Sequence, residues 1–163
     1  MKLGIVSDTH DHLELAEDAA EFFEGRVDAV IHCGDMVAPF TAEKFDAGFD
    51  FYCVRGNNDG EWNLKQTVNG FGEFFNNVAE LEFSGSSIAV YHGTDEEIAR
   101  ALRESGEYDY VLRGHTHEKK LREVDETLEI NPGGIPVPFA PGDFHVAVLD
   151  LESGDVEFHR MEG

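Results

Sequence analysis

The sequence predicts an α/β fold in which a largely parallel set of strands is followed by antiparallel hairpins. In the first part of the chain, short apolar runs alternate with amphipathic stretches, which is the pattern of successive strand and helix units. Later apolar runs lie in pairs around Ser-Gly turns at residues 84–86 and 153–154, which is typical of hairpins. Ligands of open sheets bind at the carboxyl ends of the strands, so polar residues that directly follow the apolar runs are candidates for a functional site.

Three predicted strands lie in the first third of the chain, at residues 3–6, 27–33 and 51–54. A helix with apolar residues at helical spacing follows the first strand and ends at Gly25. A short helix that begins at Pro39 follows the second strand and ends near Gly48. Residues 61–77 have no regular period, and we predict a long loop with one helical turn, either a lid or binding surface or a segment packed on the core.

The rest of the chain is predicted to form two hairpins and a further strand and helix unit. Residues 79–83 and 87–91 form the first hairpin, and Thr94 with Glu97 matches a capping box for a helix that ends at Gly106. The remaining strands are predicted at residues 108–112, 121–124, 128–130, 145–151 and 156–159.

The length and composition suit one compact domain. A chain of 163 residues can bury roughly two thirds of its unfolded surface in a single core. Apolar residues make up 41% of the chain, which argues against disorder. Because there is no repeat, linker or low-complexity tract, we expect a single domain over residues 1–163.

The charge of the chain narrows the classes of partner. Thirty-four acidic and 12 basic residues give a formal net charge of −22, which repels the phosphates of long nucleic acids and acidic membrane surfaces. We therefore expect no membrane partner and no long nucleic acid. Charge of this size also destabilises the compact state by self-repulsion, so we expect a halophilic source and a fold that low salt destabilises.

The two cysteines and the short apolar run near the amino terminus indicate the cellular compartment of the protein. Cys33 and Cys53 each lie inside an apolar run, so we expect buried thiols in a reducing environment rather than a disulfide framework. The apolar run near the amino terminus is too short for a signal peptide, and no stretch approaches the ~20 apolar residues of a membrane helix. The prediction is a cytoplasmic protein.

Several polar residues lie just past the apolar runs, on the edge where the predicted strands end. They are Asp8, His10, Asp35, Asn57, His92, His115 and His117. Imidazole is the commonest metal ligand in proteins, and carboxylate and amide oxygens complete the donor set. One tetrahedral zinc would need only three or four of these groups, so the set suits two ions side by side.

Two ions roughly 3.5–4 Å apart need a shared ligand. Asp35 has no second candidate ligand on its strand, and we expect it to be the bridge. The other candidates divide between the ions, with Asp8, His10 and His117 on one and Asn57, His92 and His115 on the other. A hydroxide bridging both ions would attack phosphorus while phosphoryl oxygens fill the open positions, so the predicted chemistry is phosphoester hydrolysis.

Five ordered motifs resemble those of calcineurin-like metallophosphoesterases, namely Asp8-x-His10, Gly34-Asp35, Gly56-Asn57-x-Asp59, His92-Gly93 and Gly114-His115-x-His117. The resemblance covers residues 3 to about 134, and the segment at 131–133 looks like the small phosphodiesterase branch of the YfcE type. It implies a four-layer αββα sandwich and a phosphodiesterase with two divalent metal ions. Mn²⁺ is the metal implied, with Ni²⁺, Fe²⁺ or Zn²⁺ as alternatives, and the implied substrate is a small phosphodiester or nucleotide.

Three residues around the third motif are candidates for catalytic roles beyond metal binding. Many relatives have a histidine, thought to protonate the leaving group, where this chain has Asn58. An amide cannot act as a general acid near pH 7, which favours activated or diester substrates. We expect Asp59 to orient a ligand, and Arg55 either to hold phosphate or to form an ion pair at the strand end. The family often has Ser and later Arg after the segment at 131–133, whereas this chain has Gly134.

Four other histidines lie outside the motifs, and two of them have two interpretations each. His32 is expected to be a hydrogen-bonded core residue or to support a ligand, and His12 to contact substrate or to begin a helix. His145 and His159 are expected to be structural.

Two other functions compete with the enzyme. The resemblance extends to the small retromer subunit, a protein-binding scaffold with a degraded metal site, whereas here every ligand position is occupied. A nuclease is opposed by the charge and by the lack of a basic stripe, and a phosphomonoesterase of the same superfamily remains an alternative. The sequence leaves open whether the chain forms a homo-oligomer.

Overall fold

Two β-sheets form the centre of the computed structural model, which describes residues 1–162. The strands are β1 (Lys2–Val6), β2 (Ala29–His32), β3 (Asp50–Val54), β4 (Glu73–Phe75), β5 (Val78–Phe83), β6 (Ser86–Tyr91), β7 (Tyr110–Leu112), β8 (Lys120–Val124), β9 (Thr127–Asn131), β10 (His145–Asp150) and β11 (Val156–Arg160). The helices are α1 (Leu13–Phe23), α2 (Pro39–Ala42), α3 (Leu64–Val68) and α4 (Glu96–Glu104), and a 3₁₀ turn follows α2 at Glu43–Phe45. The first sheet has the order β11-β10-β1-β2-β3-β4, and the second has the order β5-β6-β7-β9-β8.

Alternate residues of a strand face opposite sides of the first sheet, so they belong to two separate apolar clusters. Leu3 and Ile5 of β1 pack between the sheets against residues of the second sheet such as Ile88. Val6 faces the opposite way, into the cluster that α1, α2 and α3 form with the first sheet. Gly4 also faces the helices, where Phe23 of α1 packs so closely that an added Cβ would lie 2.6 Å from its ring.

Helix α4 covers the outer face of the second sheet, where its contacts are with β7 and β9. The layers are therefore helices, sheet, sheet and helix, and the predicted αββα sandwich is confirmed. Among residues 1–162, no helix is both long enough and apolar enough to cross a bilayer.

The parallel strands of both sheets end at the same edge. In the first sheet, β1, β2, β3 and β4 are parallel to one another, and β10 and β11 run antiparallel beside them. In the second sheet, β6, β7 and β9 are parallel. Two hydrogen bonds close the edge, from Asp8 N to Gly34 O between neighbouring loops and from His115 N to Asp8 Oδ2 between the sheets. The loops that carry the candidate site residues therefore meet.

The loop predicted at residues 61–77 is wrong in one respect. The helical turn is present as α3, but a strand, β4, follows it and pairs with β3 in parallel. Three residues are too few to show a period in the sequence, and the strand exists because Phe74 is buried against the helices while its backbone completes the sheet.

The predicted capping box of α4 is also wrong in its first residue. Asp95, not Thr94, is the N-cap, and its carboxylate accepts from the backbone N–H groups of Glu97 and Ile98. The Thr94 hydroxyl instead donates to Asn57 Oδ1 at 3.4 Å. A charged acceptor beside the positive end of the helix dipole is the stronger cap.

A buried ion pair joins α4 to the second sheet. The Arg103 guanidinium lies 3.1 Å from a carboxylate oxygen of Glu129 on β9, and these side chains are only 6% and 3% exposed. Arg113 and Arg122 are each 3.8 Å from the same carboxylate. Removing one partner from a buried pair leaves a charge without full compensation, so α4 depends on this contact.

We expect Arg103→Ala to lower the free energy of unfolding by about 3 kcal/mol, because Glu129 would lose its closest cation. Urea denaturation followed by circular dichroism measures this change. Arg100→Ala, which truncates an exposed arginine of the same helix, is the control and should change stability by less than about 0.5 kcal/mol. Equal losses in the two variants would show that the buried pair contributes nothing.

Candidate metal centre

The loops at the carboxyl edge bring the seven predicted ligand residues into one cluster. Their order along the chain is Asp8 and His10 after β1, Asp35 after β2, Asn57 after β3, His92 after β6, and His115 and His117 after β7. Six of them form two groups of three, each with donor atoms within 4.8 Å of one another: Asp8, His10 and His117, and Asp35, His92 and His115. The first group has the members predicted from the sequence. The second contains Asp35, which was predicted to be shared, and Asn57, which was predicted to belong to this group, lies beside it.

The first group is built around Asp8. Its Oδ1 lies 3.4 Å from His117 Nε2 and 3.7 Å from His10 Nε2. The two imidazole nitrogens are 3.2 Å apart, and their rings are stacked. Three donor atoms thus surround one small volume.

The second group is built around Asp35 and Asn57. Asp35 Oδ2 lies 3.3 Å from His92 Nε2, and Asn57 Oδ1 lies 3.1 Å from both His92 Nε2 and His115 Nδ1. The amide oxygen of Asn57 therefore faces the same volume as the two imidazoles.

Both carboxylates lie between the two groups. Asp35 Oδ2 is 3.5 Å from His10 Nε2 of the first group. Asp8 Oδ1 is 3.8 Å from His92 Nε2 of the second group. The sequence singled out Asp35 as the shared ligand, whereas in the structure each carboxylate reaches a nitrogen of the other group.

The donor atoms fit a divalent cation. Asp8 Oδ1 is buried and has no hydrogen-bond donor among residues 1–162. His117 Nδ1 is 2.7 Å from the backbone carbonyl of Ile135, so it must donate, and in the neutral ring its Nε2 presents a lone pair toward Asp8 Oδ1. Lone pairs that face one another without a proton between them are stabilised by a cation, and a mixture of imidazole and carboxylate suits Mn²⁺, Fe²⁺, Ni²⁺ or Zn²⁺.

Charge in the cluster keeps the carboxylates ionised. Burial raises the pKa of Asp35, but hydrogen bonds from His92 and Asn58 outweigh burial and hold that pKa well below its usual range. Burial likewise opposes ionisation of Asp8, whose pKa is nevertheless lowered by His10 and His92. Both groups are therefore available as anionic ligands at neutral pH.

Backbone carbonyls fix the orientation of two imidazoles. His92 Nδ1 donates to Cys33 O at 2.7 Å, as His117 Nδ1 does to Ile135 O, so both rings direct Nε2 to the cluster. His115 differs, since its Nδ1 faces Asn57 Oδ1. Sequence reasoning could not find these carbonyls, because any residue type supplies one.

Two polar side chains that support the cluster were also missed. Ser7 Oγ donates to Asp8 Oδ2 at 2.6 Å, and Asn131 Nδ2 donates to Gly114 O and Thr116 Oγ1, both at 3.0 Å. Ser7 directly precedes Asp8, and Asn131 begins the Asn-Pro-Gly segment, so their positions beside the motifs were the available signals.

Backbone strain is concentrated in the same loops. Five of the seven cluster residues have positive φ angles: Asp8 at 54°, His10 at 40°, Asp35 at 58°, His115 at 70° and His117 at 59°. Such conformations are costly for residues with a Cβ and persist where the surrounding structure imposes them. Gly114 shows how tight the packing is, because a Cβ there would collide with Ser7 Oγ and the Asp8 carboxylate.

Asn58 and Asp59 both hold the loop of Asp35. Asn58 donates its backbone N–H to Asp35 Oδ1 at 2.8 Å and its amide to Oδ2 at 2.7 Å. Asp59 is buried and accepts three backbone N–H groups, from Asp35 at 2.9 Å, Val37 at 2.7 Å and Gly56 at 2.7 Å. Asp59 thus fixes the backbone on which Asp35 and Asn57 are carried.

The other candidates lie around the cluster in different settings. The exposed Arg55 has its guanidinium 5.5 Å from the ring centre of Phe74, so its contact is with β4. His32 is fully buried, its Nδ1 accepts from Gly34 N, and burial lowers its pKa to about 3. His12 begins α1, where its Nδ1 accepts from the Leu15 N–H.

Comparison with known proteins identifies relatives over almost the whole chain. Residues 1–154 match the calcineurin-like phosphoesterase superfamily domain. A phosphodiesterase of Methanocaldococcus jannaschii is 39% identical over 164 aligned positions, which cover 93% of this chain and 94% of the relative. The solved structure of a novel archaeal phosphodiesterase has a TM-score of 0.90 and 35% identity, and the match covers 99% of this chain and 100% of that one.

More distant structures share the fold alone. The phosphoesterase YfcE of E. coli has a TM-score of 0.71 at 20% identity, with 99% of this chain and 100% of that chain covered. Vps29 of Entamoeba histolytica in complex with zinc has a TM-score of 0.62 at 18% identity, with 99% and 98% covered.

We expect Asp59→Asn to weaken the binding of Mn²⁺ about 10- to 100-fold, because an amide cannot accept all three backbone N–H groups that position Asp35. Isothermal titration of the metal-free protein measures the affinity. Asp155→Asn, which removes an exposed carboxylate before β11, controls for the loss of one charge. An unchanged Kd in Asp59→Asn would show that Asp35 does not need this support.

Proposed function

Because this chain belongs to the calcineurin-like phosphoesterase superfamily, we propose that it is a metal-dependent phosphodiesterase that uses two divalent cations held by the seven-residue cluster. The resemblance to this family is confirmed by the match over residues 1–154, and the small YfcE-type branch is among its structural neighbours. The enzyme class predicted from the sequence, a phosphoric ester hydrolase, is confirmed by the family and by the 39% identity to a phosphodiesterase.

The observation that carries the metal dependence is the pairing of two donor groups around Asp8 Oδ1, an oxygen that receives no hydrogen bond from residues 1–162. Asp8, His10 and His117 would hold one cation, and Asn57, His92 and His115 the other, with Asp35 shared. Two such cations would supply Lewis-acid stabilisation of phosphoryl oxygens and a water acidic enough to ionise near neutral pH. We take Mn²⁺ as the metal from the family resemblance, with Ni²⁺, Fe²⁺ or Zn²⁺ as alternatives.

The residues around the cluster indicate which esters react. Asn58 directs its side-chain amide to Asp35, and an amide has no acidic proton to give to a departing alkoxide. The leaving group must therefore depart with little protonation, which favours diesters and activated esters over alkyl monoesters. The net charge of −22 favours small phosphodiesters or nucleotides over long nucleic acids.

A protein-binding scaffold is the second candidate, because Vps29 shares the fold. Every ligand position of the cluster is occupied by a donor in this chain, and the carboxylates are kept ionised. Strained ligand loops are costly, and so is the buried Asp8 Oδ1, which no donor in the described part of the chain satisfies. A scaffold needs neither feature. These features favour the enzyme.

Hydrolysis of bis(p-nitrophenyl) phosphate should require added Mn²⁺, stop when a chelator removes the metal, and fall by at least about 10³-fold in Asp35→Ala. Release of p-nitrophenolate measures the rate. Asp155→Ala, which alters a carboxylate outside the cluster, should keep the wild-type rate. The proposed activity would be refuted if none of the four divalent metals, Mn²⁺, Ni²⁺, Fe²⁺ and Zn²⁺, supported hydrolysis.

The acidic surface suggests that the protein works in the cytoplasm of a halophile. With 34 acidic and 12 basic residues, repulsion between surface carboxylates opposes folding until salt screens it. We expect the melting temperature to rise by about 5 °C or more on going from dilute buffer to molar KCl. Differential scanning calorimetry tests this, and an unchanged melting temperature would contradict adaptation to salt.

A further inference from the structure

A pocket adjoins the candidate metal centre on the side of His117. Its volume is about 270 Å³, near the lower end of the range for small-molecule sites, about 300 Å³. Its walls include His117, Lys119, Gly134, Pro136, Phe139 and His145. Because His117 belongs to both the cluster and the pocket, a substrate at the cluster can extend into this space.

Phe139 is displayed in this pocket at the tip of a tight turn. Val137 and Ala140 pair with each other through two backbone hydrogen bonds of 3.2 and 3.0 Å, which leaves Pro138 and Phe139 as the turn residues. The Phe139 ring is 75% exposed and lies edge-on to the His117 ring, with 5.7 Å between the ring centres. An apolar ring held in water beside a polar site offers a face for stacking.

The loop that carries Phe139 is fixed to the cluster by its backbone. Ile135 donates its N–H to Asp8 O at 3.1 Å and accepts from His117 Nδ1 at 2.7 Å. Gly134 N donates to His117 O at 3.3 Å. The position of the aromatic ring relative to the two ligand residues is therefore set by the fold.

The charges of the pocket favour a neutral group. Glu118 and Asp143 line it together with Lys119, so the pocket has no net positive charge that would attract a second phosphate. His145 Nδ1 donates to Asp143 O at 2.9 Å, and His145 Nε2 has no hydrogen-bond partner among residues 1–162. When the His145 ring is neutral, Nε2 is a hydrogen-bond acceptor, so it can receive a hydrogen bond from an N–H group of a nucleobase.

We propose that this pocket binds a nucleobase carried by one ester group of the substrate, stacked on Phe139 while the phosphate lies at the cluster. The substrate class is then a nucleoside phosphodiester, and the inference rests on the proposed function. Every nucleobase has a flat face that can stack on an aromatic ring, so Phe139 would recognise a planar ring without distinguishing one nucleobase from another.

The test compares two substrates with the same leaving group, thymidine 5′-(p-nitrophenyl) phosphate and methyl p-nitrophenyl phosphate. The ratio of their kcat/KM values should fall about 5- to 150-fold in Phe139→Ala, the range expected for one lost stacking contact. Phe139→Tyr should keep the wild-type ratio because it keeps the ring. Ile98→Ala, which truncates an exposed apolar residue of α4, should also leave it unchanged. The same ratio in wild type and Phe139→Ala would overturn the proposal.

A binding measurement separates failure of the pocket from failure of the enzyme. In saturation-transfer NMR with thymidine and the metal-free protein, the base protons should receive saturation from wild type and Phe139→Tyr but not from Phe139→Ala. Hydrolysis without this transfer would reject the nucleobase pocket while the phosphodiesterase stands. If the base protons receive saturation but none of the four metals supports hydrolysis, the phosphodiesterase proposal is rejected and the nucleobase pocket is retained.

Discussion

The arrangement of the loops at the carboxyl edge of this fold depends on two buried carboxylates, Asp8 and Asp35. Burial alone would favour their protonated forms, but imidazoles hold both pKa values low, together with the Ser7 hydroxyl at Asp8 and the amide groups of Asn58 at Asp35. The protein thus keeps negative charge inside a molecule whose net charge is already −22. Asp8 Oδ1, which has no donor among residues 1–162, is where compensation by the protein is incomplete. A divalent cation would complete it, and this need connects the packing of the loops with the proposed chemistry.

The rest of the edge holds these carboxylates in place. Asp59 ties together three backbone N–H groups around Asp35, and Ser7 and the His115 N–H bind Asp8. The positive φ angles of the ligand loops cost free energy, which the two apolar layers and the paired parallel strands must supply. Strain of this kind is retained where a rigid arrangement serves a site. Close packing, not strain, accounts for the glycine at position 114, where a side chain would collide with Ser7 and Asp8.

The proposed activity and the proposed nucleobase pocket share one structural element. The loop after β9 orients His117 through the carbonyl of Ile135 and displays Phe139 a few residues later. Positioning of a metal ligand and recognition of an ester group would thus depend on the same backbone. The lack of an acidic proton at Asn58 adds a second constraint, because in the proposed reaction it would favour leaving groups that depart with little protonation.

The sequence alone predicted the four helices and ten of the eleven strands in their order, and it predicted the seven residues that the loops bring together. Apolar runs that end in Asp, Asn or His mark strand ends, and parallel strands must end at one edge, so the sequence predicted one group of Asp8, His10 and His117 and a second of Asn57, His92 and His115, with Asp35 shared. In the structure Asp35 lies with His92 and His115, and Asn57 lies beside them. Local pattern also predicted the end of α1, where Glu24 is the C-cap and Gly25 has a φ of 71°.

Only the tertiary structure decided the features that depend on residues distant in the chain. Strand β4 exists because β3 offers a free edge, and Asp95 caps α4 in place of Thr94. Asp8 lies 3.8 Å from a nitrogen of the second group, and Asp35 lies 3.5 Å from a nitrogen of the first. The carbonyls of Cys33 and Ile135 orient histidines 59 and 18 residues away. Backbone groups are the same in every residue, so the sequence has no signal for these contacts, and their partners are set by how the two sheets pack.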